Sequence, residues 1–460
     1  MKININNLGN LKQGSFDISK KLTLFCGPNN TGKTYVSYIV YALLKERVLI
    51  DVTNSIDLSD FIQNGRFSFE LNRNSLLNYR KTRIEEVVSN MESIFGISES
   101  DKESLFSDLN VSFGLTDDEF INKVIDEELD YVFKWDGLDV RAMKEKGTLD
   151  ITIQKESSKA VAAIDSFFLE LQMMDDICEQ LVNYPYTNAC IFPVERNSIY
   201  TFNKELSIQR NELIEQMQAL KDNKKLGHES VDKLLGRSTR YPLAIRDCLA
   251  VANDLNNLQK NKSAYYAFAE ELEQKLLGGK IVVTKNGDVQ FVPKAGQKLP
   301  VHLSASIVKT LSSLTFYLKH LAKKGDLIII DEPEMNLHPD AQVLLTRVFA
   351  RLINSDLNLL MSTHSDYIIR ELNNLISLGS MKNKDSILKE LGYDEKECIN
   401  YDDVSVYLFK PIRRNSKATQ ISPVSVKRDG FSIETIDEVI YQSNVESDTI
   451  SYHLEYGNGN

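Results

Sequence analysis

The chain has 460 residues, 42% of them hydrophobic, and a formal net charge of -11. That length accommodates about three domains at roughly 150 residues each, with ample apolar sequence for a large core. An acidic balance argues against a surface that grips nucleic acid everywhere, because phosphate binding needs clustered Lys and Arg, and no run approaches the ~20 apolar residues of a bilayer span.

Met1 to Ile5 passes straight into polar sequence without a signal-like apolar stretch, which predicts a cytoplasmic protein with no membrane partner. The runs KININNL, SFDI and KLTLFC, separated by Gly9, Asn10 and Gly14, predict an antiparallel hairpin followed by a third strand that ends at Gly27. A glycine-containing loop leads into Lys33 to Lys45, where Val36, Ile39, Val40, Leu43 and Leu44 have the spacing of a helix packed on one face. From about 50 to 180 the chain is rich in Ser, Asn, Asp and Glu, with intermittent helical periodicity, and reads as a mixed, mostly helical insertion. A short apolar strand is predicted from Ala189 to Val194, ahead of Glu195 and Arg196. Residues 203 to 277 read as an antiparallel helical projection interrupted at Pro242. KIVVT and VQFVP flank Asn286-Gly287, the turn chemistry of a hairpin. A helix from Ser306 to Lys323, a strand from Asp326 to Ile330, a helix from Asp340 to Ile353 and a strand from Leu357 to Met361 follow. Such alternation predicts a parallel sheet covered on both faces. Two further strand-like runs, VSVYLF and ISPVSVK, precede a Gly/Asn tail expected to be disordered. The single cysteines Cys26, Cys178, Cys190, Cys248 and Cys398 lack CxxC spacing and paired histidines, so buried reduced thiols are expected.

Gly27-Pro28-Asn29-Asn30-Thr31-Gly32-Lys33-Thr34 satisfies GxxxxGK[ST] between an apolar strand and a helix. The glycines let successive amides turn toward phosphate oxygens at a helix N-terminus. Lys33 supplies an ammonium for the β and γ phosphates, the Thr34 hydroxyl is a hard ligand for Mg2+, and Tyr35 completes the expected nucleotide-binding set. Leu327 to Ile330 delivers Asp331 and Glu332 at the C-terminal end of a buried strand. Asp331 is expected in the Mg2+ shell, and Glu332 as the base for an attacking water. Asn336 to Pro339 follows, and the next strand ends at His364, an imidazole placed to report on a terminal phosphate.

Together these motifs resemble the ABC-type ATPase family in its SMC-like and OLD-like branch, the AAA-labelled bacterial ATPases of antiphage systems such as Septu and PARIS. The resemblance covers residues 1–48 and 280–375 by motif. It implies an α/β, ABC-type P-loop NTPase head with N-terminal antiparallel strands and a short coiled-coil-like helical insertion. It also implies a head-to-tail dimer or higher oligomer, in which a signature motif at Leu303-Ser304-Ala305-Ser306 would complete the partner's site through Ser304 and Ser306. Ser306 stands where the second glycine of LSGGQ is usual. Asn336 to Pro339 would correspond to the D-loop and His364 to the switch histidine. No TOPRIM, HNH or PD-(D/E)xK nuclease pattern accompanies the motor.

The expected domains are a head lobe with Walker A (1–48), a mixed insertion (49–188), a head strand (189–202), a helical projection (203–278), a second head lobe with signature, Walker B and switch histidine (279–400) and C-terminal strands with a flexible tail (401–460). The expected function is an ATP- and Mg2+-dependent ATPase that controls a separate nuclease or toxin effector in antiphage defence. The alternative is an SMC-like DNA-clamping ATPase of repair or recombination. A nucleic-acid partner stays open, its candidate basic clusters being Lys221, Lys224 and Lys225, and Lys410, Arg413, Arg414 and Lys417.

Overall fold

The computed structural model describes residues 1–45, 61, 64–135, 138–156, 166–199, 241–413 and 416–456. In chain order the strands are β1 (Lys2–Leu8), β2 (Leu11–Asp17), β3 (Leu22–Cys26), β4 (Arg66–Glu70), β5 (Asn110–Phe113), β6 (Leu129–Trp135), β7 (Leu138–Lys144), β8 (Asp150–Lys155), β9 (Ala189–Phe192), β10 (Gly279–Val283), β11 (Val289–Pro293), β12 (Leu299–Pro300), β13 (Leu327–Asp331), β14 (Asn358–Thr363), β15 (Val404–Pro411) and β16 (Thr419–Val424). Five helices bear on the site or the termini: α1 (Lys33–Lys45), α2 (Ser306–His320), α3 (Pro339–Ile353), α4 (Asp366–Ser380) and α5 (Glu434–Tyr456).

A nine-stranded sheet in the order β5-β1-β2-β16-β15-β3-β14-β13-β9 forms the head. β9, β13, β14, β3 and β15 pair in parallel. β1 and β2 form the expected antiparallel hairpin, and β5 extends it. In the parallel strands, alternate residues feed two different cores. Ile328, Ile330, Leu359 and Met361 join the core beneath α2, α3 and α4. Leu327, Ile329 and Leu360 face the opposite core with Val36, Ile39, Val40 and Leu43 of α1. Every residue of β13 is buried, and each of its isoleucines contributes about 1.5–3 kcal/mol by leaving water. This is the parallel sheet covered on both faces that the alternation of strands and helices predicts, in the α/β head architecture that the resemblance implies.

The structure refines three expectations. The 49–188 insertion contains a four-stranded antiparallel sheet in the order β4-β8-β7-β6. It has its own core, including Tyr79, Phe120, Ile151 and Ile153, and it stands beside helices that make up the larger share of the insertion's described residues, as expected. The return limb of the supposed projection, from Leu243 to Leu277, packs Leu255, Tyr265, Ala269 and Leu272 into the main core; its first limb, with Lys221, Lys224 and Lys225, lies outside the described residues. In the C-terminal segment β15 and β16 are integral to the head sheet, and α5 follows them as a helix that the sequence reading did not expect, while the Gly/Asn tail itself lies outside the described residues. Among the described residues no helix is long and apolar enough to cross a membrane, and all five cysteines are free.

Candidate functional site

The loop after β3 curls because Gly27 and Gly32 take φ values of 138° and 98°, conformations open chiefly to glycine. At Gly27 the close approach is as demanding as the dihedral, since a Cβ there would lie 2.1 Å from the Phe409 carbonyl oxygen. The Thr31 hydroxyl donates to the Pro28 carbonyl at 2.8 Å. The Lys33 ammonium donates to the Gly27 and Pro28 carbonyls at 2.8 and 2.9 Å. Thr419 of β16 buttresses the loop from outside, its hydroxyl donating to the Thr31 carbonyl at 3.0 Å. A cleft of about 770 Å³ lies over this loop, lined by Asn29, Asn30, Thr31, Gly32, Lys33, Thr34, Tyr35 and Glu332, with Ser416 and Lys417 at its side.

The Thr34 hydroxyl donates to Asp331 Oδ2 at 2.7 Å, across 297 positions of sequence. Asp331 is only 1% exposed, and its other oxygen accepts a hydrogen bond from the Ser362 hydroxyl at the end of β14. A hydroxyl and a carboxylate placed side by side at a helix N-terminus are the hard oxygen pair that suits Mg2+ beside bound phosphates, so the residues present fit that ion. Glu332 follows with φ 46°, and its carboxylate stands 3.7 Å from His364 Nδ1. The two residues expected to act on the terminal phosphate therefore face each other across neighbouring strand ends.

Ser304 and Ser306 do not line this cleft. The Ser304 hydroxyl is buried and donates to the Val301 carbonyl at 2.5 Å, so its expected role toward a phosphate requires that bond to break. Ser306 is exposed at the first turn of α2, and Ala305 ahead of it provides no side-chain cap. The amides of that helix end have no capping side chain to satisfy them.

A family model described as AAA ATPase domain matches residues 1–369, a span that contains the phosphate loop, Asp331, Glu332 and His364. The chain belongs to this family. Solved structures similar to this ATPase-domain chain include the SMC head domain from Thermotoga maritima, at 10% identity and TM-score 0.34, covering 92% of this chain and 98% of that one. Another is an SmcHead bound to the C-winged helix domain of ScpA, at 10% identity and TM-score 0.35, covering 93% and 98%. A third is an Smc head domain with an extended coiled coil bound to the C-terminal domain of ScpA derived from Pyrococcus furiosus, at 11% identity and TM-score 0.33, covering 96% and 98%. No curated protein matches the chain.

The electrostatics of this ATPase-domain site follow from its burial. Burial raises the Glu332 carboxyl above its ordinary range; the neighbouring Asp331 and Glu334 carboxylates add to that, and His364 opposes it. Burial likewise lowers the Lys33 ammonium, against the pull of Glu332 and Asp331. A base with a raised pKa takes a proton more readily, and a general base gains from that.

Two functional contacts escaped the sequence reading. Glu334, 6% exposed, accepts from the Thr363 hydroxyl at 2.6 Å and from the His364 amide at 2.9 Å, which fixes the histidine's backbone. Only its position three residues past Asp331 hinted at this. Ser362 was visible as part of the strand end, yet nothing in its spacing marks it as the second partner of Asp331. Of the basic candidates, Lys410 pairs with Glu434 at 2.9 Å, and Lys417 borders the phosphate-loop cleft.

Proposed function

We propose that this chain binds ATP with Mg2+ in the cleft over residues 27–35 and hydrolyses it, using Glu332 as the base for the attacking water. The observation that carries this reading is the Thr34–Asp331 hydrogen bond, because it joins a P-loop hydroxyl and a strand-end carboxylate, the hard oxygen donors that would hold a divalent ion. The loop amides and Lys33 would hold the phosphates, Thr34 and Asp331 would hold the metal, and His364, just past β14, would respond to the terminal phosphate. When bound, Mg2+ neutralises the phosphate charge that develops during transfer. Because Ser306 and the uncapped start of α2 lie outside the cleft, the reading includes a head-to-tail dimer in which a second copy presents that helix end. Closure on ATP and reopening on hydrolysis would make the protein a nucleotide-gated switch.

Two cellular roles suit such a switch, and the one put first is SMC-like, ATP-gated clamping of DNA in repair or recombination. Control of a separate nuclease or toxin effector in antiphage defence stands second. DNA-stimulated hydrolysis supports the first role. ATP-dependent activation of a nuclease encoded beside this chain supports the second.

The decisive measurement is steady-state ATP turnover and nucleotide affinity for three proteins. Glu332→Gln should lose about 10²–10⁴-fold in kcat while still binding ATP, and Lys33→Ala should lose nucleotide binding. Near wild-type hydrolysis by Glu332→Gln would remove Glu332 from the role, and unchanged affinity in Lys33→Ala would discredit the loop assignment.

A further inference from the structure

Arg196, just beyond β9, is 3% exposed, and the hydrogen bonds of its guanidinium run to backbone carbonyls. Nη1 donates to the Pro193 carbonyl at 3.1 Å and to the Asp331 carbonyl at 2.7 Å, and Nη2 donates to the Glu332 carbonyl at 2.8 Å. The planar fork of an arginine can hold two successive carbonyls at once, as a lysine ammonium cannot. Those two carbonyls bracket the residue that most needs holding. Glu332 sits at φ 46°, a left-handed conformation that costs a non-glycine residue about 1–3 kcal/mol and persists only where its surroundings over-determine it. From the other side, the Glu332 amide donates to the Ser362 carbonyl at 3.1 Å. Glu332 is thus clamped at its amide by β14 and at its carbonyl by Arg196. The clamp sets where the side chain leaves the backbone, and from there its carboxylate stands 3.7 Å from His364 Nδ1.

The same turn reaches the helix that starts at Ser306. Asn197 Nδ2 donates to the Thr310 hydroxyl at 3.4 Å, and Arg196 lines a small cavity with Thr310, Leu311 and Leu314 of α2. The segment that grips the carboxylate strand end is therefore also packed on the signature helix.

We propose that Arg196 is a positioning residue for hydrolysis: it holds the strained backbone of Asp331 and Glu332, sets the aim of the Glu332 carboxylate, and transmits the position of α2 to it. The proposal rests on the reading of Glu332 as the base. Arg196 touches no reacting atom in this account, so its loss acts on kcat and spares nucleotide binding, which Lys33 and the loop amides provide. A misplaced base costs on the order of 10²-fold in rate.

The test uses the full chain and four proteins: Arg196→Ala, Arg196→Lys, Glu332→Gln and Arg196→Lys/Glu332→Gln. Arg196→Ala should lower kcat about 100-fold with ATP affinity within threefold of wild type, and added methylguanidinium should restore part of that kcat. Arg196→Lys should fall between the two. If Arg196→Ala does not fold, Arg196→Lys decides the matter. In the double variant the arginine change should cause no further loss beyond Glu332→Gln, because there is no base left to aim. Glu332→Gln retaining hydrolysis defeats the base assignment itself. Glu332→Gln losing hydrolysis while Arg196→Lys turns over at the wild-type rate overturns the positioning role alone. Parallel loss of affinity and kcat in Arg196→Lys, or a full multiplicative loss in the double variant, also overturns it by showing a general structural defect.

Discussion

Gly27→Ala and Gly32→Ala should separate two ways in which a phosphate loop depends on glycine. Both positions have positive φ, 138° and 98°, so either alanine is strained by about 1–3 kcal/mol. At Gly32 that is the whole effect, because the nearest atom to an added Cβ is Leu11 Cβ at 3.6 Å, an ordinary contact. At Gly27 the Cβ would meet the Phe409 carbonyl oxygen at 2.1 Å. Phe409 is fully buried and belongs to β15, which pairs with β3 as far as Leu408 and Cys26. The clash can be relieved only by moving a backbone segment of the central sheet, which adds about 1–3 kcal/mol of overpacking strain. The expected destabilisation is thus about 2–6 kcal/mol for Gly27→Ala against about 1–3 for Gly32→Ala. Urea unfolding followed by circular dichroism would measure the pair under identical conditions, with fluorescent-ATP binding as the second readout. Equal destabilisation by the two alanines would refute the reasoning, because it would mean that the sheet contact at Phe409 adds nothing to the dihedral strain.

Three further outcomes follow from particular contacts. Lys319 donates to both oxygens of Glu273 at 2.7 Å, with side chains 8% and 0% exposed. Lys319→Met should therefore cost about 3–5 kcal/mol by stranding a buried carboxylate, and adding Glu273→Gln, which keeps an acceptor for the Ile281 amide, should recover most of it in the same unfolding assay. Burial raises the Glu127 carboxyl from 4.5 to about 7, with Lys123 only partly compensating. A raised carboxylate costs nothing below about pH 4.5, where both states are protonated, and its full penalty is present above pH 7. Glu127→Gln should accordingly stabilise by about 1–3 kcal/mol at pH 8 and be close to neutral at pH 4, and an equal effect at both would contradict the shift. Ending the chain after Asp437 removes most of α5, a helix with no buried residue, while keeping Ile436, which packs on the core. The melting temperature should move by less than about 2 °C, and a drop of about 5 °C or more would show that the helix has a partner within its own chain.

The head was readable in the sequence where local pattern and chemistry agree. LIIIDE announces a buried strand that delivers carboxylates, and GPNNTGKT announces a phosphate loop, because both are contiguous and each residue type has a local reason. The insertion's sheet was missed although Asp136-Gly137 separates LDYVFKW from LDVRAMK, a hairpin signal in sequence terms. The charged residues along those runs blurred the alternation that identifies a half-buried strand. In α5 the stripe Ile436, Ile440, Ile450 and Leu454 is broken by Ser443 and Ser447, and a second stripe of Tyr441, Val445, Tyr452 and Tyr456 lies on the opposite side. Two incomplete stripes cancel in a search for one apolar face. Arg196 was noted only as the end of a strand, because its partners lie about 135 positions away and are carbonyls, which every residue has. No residue type at 331 or 332 could advertise that contact.

The sheet order explains why so dispersed a set of residues forms one site. β3, β14, β13 and β9 are consecutive neighbours in the sheet and run parallel, so their C-terminal ends share one edge. In that spatial order the ends carry the phosphate loop, then Ser362 and His364, then Asp331 and Glu332, then Arg196. Ligands of open α/β sheets bind at this edge. Each strand here presents something different to it: donors for anionic oxygen, an imidazole, carboxylates, and a cation turned to the backbone. The order also ranks the strands by distance from the loop after β3. The loop after β3 forms the floor of the cleft and Glu332 borders it, whereas Arg196 beyond the outer strand reaches the site only through the carbonyls of Asp331 and Glu332. A change on β9 should therefore alter how well the base is aimed before it alters how tightly nucleotide is held, and a change on β3 should do the reverse.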